Sequence, residues 1–180
     1  MHPTRIALLR GVNLAKANRV SMADVRAALE AAGFSSVRSL LQSGNFVLEA
    51  SGADDVEVEA RAEAALRERL GLNVDVMVRD AAAWRAMIAA NPFPQVAKDD
   101  PARLVAMVLK TAPAKDAEAA MAAIPGPEQA QVIGREVFIW YPDGQADTKL
   151  AGGALDRALG ARGTGRNWNT VLKLAALLGP

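Results

Sequence analysis

Guanidinium and carboxamide side chains cluster in three short segments of this 180-residue chain: Arg10-Gly11-Val12-Asn13, Gln42-Ser43-Gly44-Asn45 and Arg166-Asn167-Trp168-Asn169. Arginine holds a phosphate or carboxylate in a two-pronged grip, and a carboxamide reads polar edges with one acceptor and two donors. None of these groups is a good general base, so their chemistry is recognition of anions and polar edges. No catalytic residue can be named from them.

Arg10 follows the first apolar run, and Asn13 and Lys16 lie in the loop beyond it, where strand ends commonly carry ligand groups. Gln42 and Asn45 bracket an expected two-residue hairpin turn at Ser43-Gly44. Tyr141 stands at a strand end and could stack on a ring. Lys149 sits at the expected start of a helix, where main-chain N–H groups also face an anion. Arg166, Asn167 and Asn169 complete the candidate ligand set. Several have a competing structural duty. Arg10 can pair with a carboxylate, Asn45 can serve the turn, and Tyr141 can cover a sheet rim. One of Asn167 and Asn169 can cap the last helix, with Trp168 anchoring it. Capping needs one asparagine and leaves Arg166 unexplained.

Composition removes several classes of site. The chain has no cysteine and a single histidine, His2, so disulfides, thiolate zinc sites, histidine triads and multi-histidine metal centres are excluded. No phosphate loop or dinucleotide fingerprint is present, no residue is assigned to a cofactor or metal, and the identity of any cofactor is left open. No early stretch has the form of a signal peptide and no segment is long enough to span a bilayer. The expectation is a soluble, cytoplasmic protein, monomeric or homodimeric, with no membrane partner. Net charge is +1, but Arg5, Arg10, Lys16, Arg19 and Arg26 crowd one end, and Lys149, Arg157, Arg162, Arg166 and Lys173 the other. Two basic ends flanking an acidic middle would form one positive cleft if they met in space.

The elements that must position these groups follow from periodicity and punctuation. Strands are expected at 5–9, 37–41, 46–48 and 74–78, with helices at 21–32, capped by Ser21, and at 55–70, with Val56, Ala60, Leu66 and Leu70 inward. A helix over 80–90 and a polar linker at 95–101 lead to a second set. That set comprises a strand at 104–109, a helix at 114–123, a hairpin at 131–133 and 137–141, a helix from 149 that Thr148 would cap, and a last helix at 169–178. The first order is β-α-β-β-α-β, the split βαβ arrangement. The second reads β-α-β-β-α, with a terminal helix where the fourth strand should be, so that either a strand is shared between the halves or the second sheet is smaller; Gly163-Thr164-Gly165 reads as flexible. The expected class is α+β. It comprises two ferredoxin-like subdomains, 1–79 and 102–180, joined through 80–101, with the second partly degenerate and closed by a C-terminal helix.

With these residues in view, the chain resembles the bacterial domain of unknown function 1697 family. The resemblance rests on Ala7-Leu8-Leu9-Arg10-Gly11-Val12-Asn13, Met22-Ala23-Asp24-Val25-Arg26, Gln42-Ser43-Gly44-Asn45, Asn91-Pro92-Phe93 and Arg166-Asn167-Trp168-Asn169-Thr170-Val171, with Lys149-Leu150 after Tyr141-Pro142-Asp143-Gly144. It implies two ferredoxin-like subdomains and supplies no activity. The functional expectation is binding of a phosphorylated small molecule, a nucleotide or single-stranded nucleic acid in a groove between the subdomains. The alternatives are a histidine-independent enzyme acting on a phosphorylated substrate, with Asp143 or Asp147 as base, and a purely structural or oligomerisation protein.

Overall fold

Apolar β-branched runs separated by alanine-rich helices produce two similar units in the computed structural model, which describes residues 3–13, 19–51 and 54–179. One unit comprises Met1–Ala86 with Leu174–Pro180, and the other Met87–Lys173. The first holds β1 (Thr4–Leu9), α1 (Met22–Ala31), β2 (Ser35–Leu40), β3 (Asn45–Glu49), α2 (Asp55–Leu70), β4 (Val76–Asp80) and the start of α3 (Ala81–Ala89). The second holds α4 (Pro94–Asp99), β5 (Leu104–Leu109), α5 (Ala117–Ala122), β6 (Gln129–Ile133), β7 (Glu136–Trp140), α6 (Gly152–Leu159), β8 (Gly163–Asn167) and the start of α7 (Trp168–Leu177). The protein is therefore mixed α and β, with two four-stranded sheets ordered β2-β3-β1-β4 and β6-β7-β5-β8. Every strand pairing among the described residues is antiparallel.

In the first unit, buried β1 residues meet α1 through Val25 and Leu29 and α2 through Val58, Ala62 and Leu66. Ser21 caps α1 as expected, its Oγ accepting from the amides of Ala23 and Asp24. The inward face of α2 differs from the expected one: Val56 is 61% exposed, while Val58 and Ala62 are buried. The reason is polar. The rotation that buries Val58 also turns Glu59 and Glu63 toward β4, whose amides at Val78 and Val76 they accept at 2.9 and 2.8 Å.

The second unit builds its core from Val105, Leu109, Val137, Ile139 and Tyr141 against Met121, Leu155 and Leu159. Here the expectation of a missing fourth strand is corrected. β8 pairs with β5 from Val105↔Asn167 to Leu109↔Gly163. Its glycines fill a crowded edge: a Cβ at Gly165 would lie 2.7 Å from Val105 Cγ1, and one at Gly163 would lie 2.7 Å from Leu109 Cδ2. Residues expected as a linker form α4, started by Pro94 in the first turn, where a proline costs no hydrogen bond. α6 begins at Gly152 with Ala151 as its cap, so Thr148 does not cap it. Instead the Thr148 hydroxyl accepts from the Leu150 amide and donates to Glu128.

Candidate functional site

The first two polar segments meet at the carboxyl end of β1. Strand β1 ends at Leu9, whose amide donates to Gly44 O at 2.8 Å, while the Arg10 amide donates to Asp75 O at 2.9 Å. Main-chain bonds thus hold the base of Arg10 between the β2–β3 turn and the residue just before β4. That turn runs from Leu41 through Gly44 between Leu40 and Asn45, wider than the expected two-residue loop. Leu41 and Gly44 have φ of 61° and 76°. A Cβ at Gly44 would stand 2.6 Å from Val12 Cγ2 and 2.8 Å from Leu9 Cβ, so only glycine lets the turn lie this close to the β1 end.

Asn13 ties the arrangement together. Its Nδ2 donates to Val20 O at 3.0 Å and Gln42 O at 2.8 Å, and its Oδ1 accepts from the Val20 amide at 2.9 Å. The side chain ties Val20 to Asn13 and Asn13 to the turn at Gln42. Asparagine also tolerates the left-handed backbone found here, φ 54°. Asn45 is completely buried and donates to Leu40 O at 2.8 Å and Ser43 Oγ at 2.9 Å. These two carboxamides are spent on the frame. Arg10, half-buried, and Gln42, exposed, stand at its rim. Lys16 lies outside the described residues. Arg5 leaves the expected basic pool, because it is buried with Nε on Asp55 Oδ1 at 2.9 Å and Nη1 on Ala50 O at 3.0 Å.

In the second unit the candidates divide similarly. Tyr141 is buried, its hydroxyl donating to Leu150 O at 3.0 Å. Burial, assisted by the negative Glu128, raises its pKa from 10.0 to about 12. The ring belongs to the core, not to an exposed stacking surface. Asn167 caps α7, its Oδ1 accepting from the Thr170 amide at 3.0 Å. Trp168 is buried with its ring 6.4 Å from that of Phe138, the expected anchor. Asn169 and Lys149 are exposed. Arg166 is buried on β8, with Nη1 donating to Thr164 Oγ1 at 2.7 Å and Gly165 O at 2.8 Å. Desolvation lowers its pKa to about 10.

Three sets of polar groups were not anticipated: the Glu59 and Glu63 contacts to β4, the Arg5–Asp55 pair, and the Glu118 contact to Val132. The first left a signal, since glutamates four apart on one helix face can meet alternate residues of an adjacent strand. Among the described residues no group of three or more metal-ligating side chains is gathered, and no helix is long and apolar enough to cross a membrane.

Comparison with known proteins agrees with this architecture. Residues 2–138 match a family model described as "Protein of unknown function (DUF1697)". The fold is similar to the solved structure of the conserved bacterial protein SP0830 from Streptococcus pneumoniae, with a TM-score of 0.76 and 18% sequence identity, over 99% of each chain. At that identity the likeness concerns the fold alone. No curated protein matches the chain.

Proposed function

This chain belongs to the DUF1697 family of proteins of unknown function, and we propose that it binds a phosphate-bearing ligand at the loops that follow β1. The observation that carries this reading is the frame beneath Arg10. Two main-chain bonds, from Leu9 to Gly44 and from Arg10 to Asp75, and the triply bonded Asn13 anchor the chain where it leaves β1. A main chain already fixed at Arg10 leaves only the side chain to be ordered when it meets an anion, which lowers the cost of binding. Arg10 would grip the phosphate, Lys16 would add charge, and Gln42 would read a polar edge of the ligand. Asn13 and Asn45 are assigned to the frame.

In the second unit Lys149 and Asn169 are the exposed candidates, and Arg166 and Asn167 act through the shape of β8 and the start of α7. The two sheets are read as duplicated ferredoxin-like, split βαβ subdomains. Their repeated strand order and the β-α-β-β-α-β succession in each support that reading.

Phosphate is common to a small phosphorylated molecule, a nucleotide and single-stranded nucleic acid, and titration separates them. Calorimetry at low salt with inorganic phosphate, a nucleoside monophosphate and a short single-stranded oligonucleotide should show binding to at least one. That binding should weaken with added salt and fall by about tenfold or more in Arg10→Ala, the loss of one charge-assisted bond. Unchanged affinity in Arg10→Ala would remove the site from the β1 end.

A second reading has its own support. Asn13, Asn45 and Asn167 are engaged in internal bonds, as a purely structural role for the polar segments requires. On that reading Arg10→Ala lowers the denaturation midpoint and none of the three phosphate probes binds the parent protein.

A further inference from the structure

The outer strands of the two sheets are closed to different degrees. β4 is an outer strand, and its amides at Val76 and Val78 are taken by Glu63 and Glu59 of α2. β6 is an outer strand of the second sheet, joined to β7 through Gly134-Arg135. That short turn makes Ile133 and Glu136 a hydrogen-bonded pair, and alternation then sends the amides of Val132 and Ala130 away from β7. Val132 donates to Glu118 Oε1 at 2.7 Å. The Ala130 amide meets no protein acceptor among the described residues.

Beside it opens a cavity of about 350 Å³, lined by Ala130, Gln129 and Gln131 of the strand, by Glu118 and Met121 of α5, and by Glu128. We propose that this edge docks an extended peptide of another protein that carries a lysine or arginine, its main chain pairing at Ala130 and its cation entering the cavity.

Strand addition uses an unpaired edge for affinity and an adjoining pocket for specificity. The pocket here has the right chemistry for a basic side chain. Phe93, Met121 and Leu150 supply apolar walls for the methylene stem. Glu118 and Glu128 supply negative charge, and the effect of Glu128 on Tyr141 shows that its charge is felt in the surrounding protein. Each carboxylate uses one oxygen internally, on the Val132 amide and the Thr148 hydroxyl, which fixes its orientation. A second copy of this chain fits less well, because antiparallel pairing of two β6 strands would bring these glutamates against their own counterparts. Like charges across such an edge are unfavourable.

The test uses the full chain and short acetylated peptides of alternating valine and threonine with lysine, arginine, norleucine or glutamate at the centre. In a titration followed by amide NMR, the lysine and arginine peptides should shift the Ala130 and Gln131 resonances and slow Ala130 exchange by about tenfold. Glutamate and norleucine peptides should bind at least about tenfold more weakly. E118Q and E128Q keep a hydrogen-bond acceptor and remove charge, so they should erase the preference for lysine while leaving the far-ultraviolet spectrum unchanged. Ala130→Pro, tolerable on an outer strand, should abolish binding. Equal binding of lysine and glutamate peptides, or resonance shifts confined to residues outside β6 and α5, would overturn the proposal, as would absence of binding by every peptide.

Discussion

Asn13 and Tyr141 have assignments here that depend on how completely their polar atoms are satisfied. Asn13 makes three bonds from a left-handed backbone position. Asn13→Ala should therefore cost about 1–3 kcal/mol in urea denaturation, because the Val20 amide and two carbonyls lose their partner. Asn13→Asp, which keeps the acceptor and removes both donors, should fall between the two; a parent-like midpoint for Asn13→Ala would show that the loop does not need this tie. Tyr141 is the only tyrosine, so its ionisation can be followed directly in near-ultraviolet absorbance. The expected midpoint is about 12, and a midpoint near the ordinary 10.0 would mean that the ring is not held in the core. Because the folded pKa is raised, the unfolded chain loses this proton first. The stabilisation is complete below pH 10 and is lost between 10 and about 12. Arg166 acts oppositely: with its folded pKa lowered to about 10, burial of its charge costs stability at neutral pH, and that cost is relieved as pH rises past 10. Tyr141→Phe should therefore remove the falling component of alkaline stability and leave the rising one.

At the scale of elements, α2 and β8 carry the lessons. Glu59 is 3% exposed and accepts the Val78 amide at 2.9 Å, so α2 both packs on the sheet and closes its edge. Glu59→Ala should destabilise the protein by about 1–3 kcal/mol and accelerate exchange of the Val78 amide, whereas Glu59→Gln should do less of each. Unaltered Val78 exchange in Glu59→Ala would contradict the role given to it. The helices and strands of the first unit were legible because their apolar spacing and the Ser21 and Gly71 caps agree with one another. The face of α2 was not, since hydrophobicity alone ranks Val56 above a glutamate and cannot anticipate an edge amide that demands one. β8 was hidden for a different reason. Glycine ordinarily weakens a strand, and only the closeness of Val105 and Leu109 side chains makes Gly163 and Gly165 suited to this one.

For the molecule as a whole, a repeated sheet supports polar segments whose duties divide between frame and rim. The residue types of the candidate site were readable from the chain, but not this division, because an asparagine holding a loop and one reading a ligand look alike in a sequence. The β2–β3 turn illustrates it: Asn45 proved to be fully buried and Gln42, three positions earlier, exposed. Charge was similarly opaque, since Arg5 counts toward a basic end until Asp55 is found 2.9 Å away. The proposal that the β1 end receives phosphate can be tested most directly by amide NMR titrations of the full protein at low salt with inorganic phosphate, a nucleoside monophosphate and a short single-stranded oligonucleotide, at least one of which should bind. The account predicts saturable shifts centred on Arg10, Gly11, Gln42 and Ser43 that shrink by about tenfold at equal ligand in Arg10→Ala. Shifts centred elsewhere, or the same shifts in the variant, would contradict it.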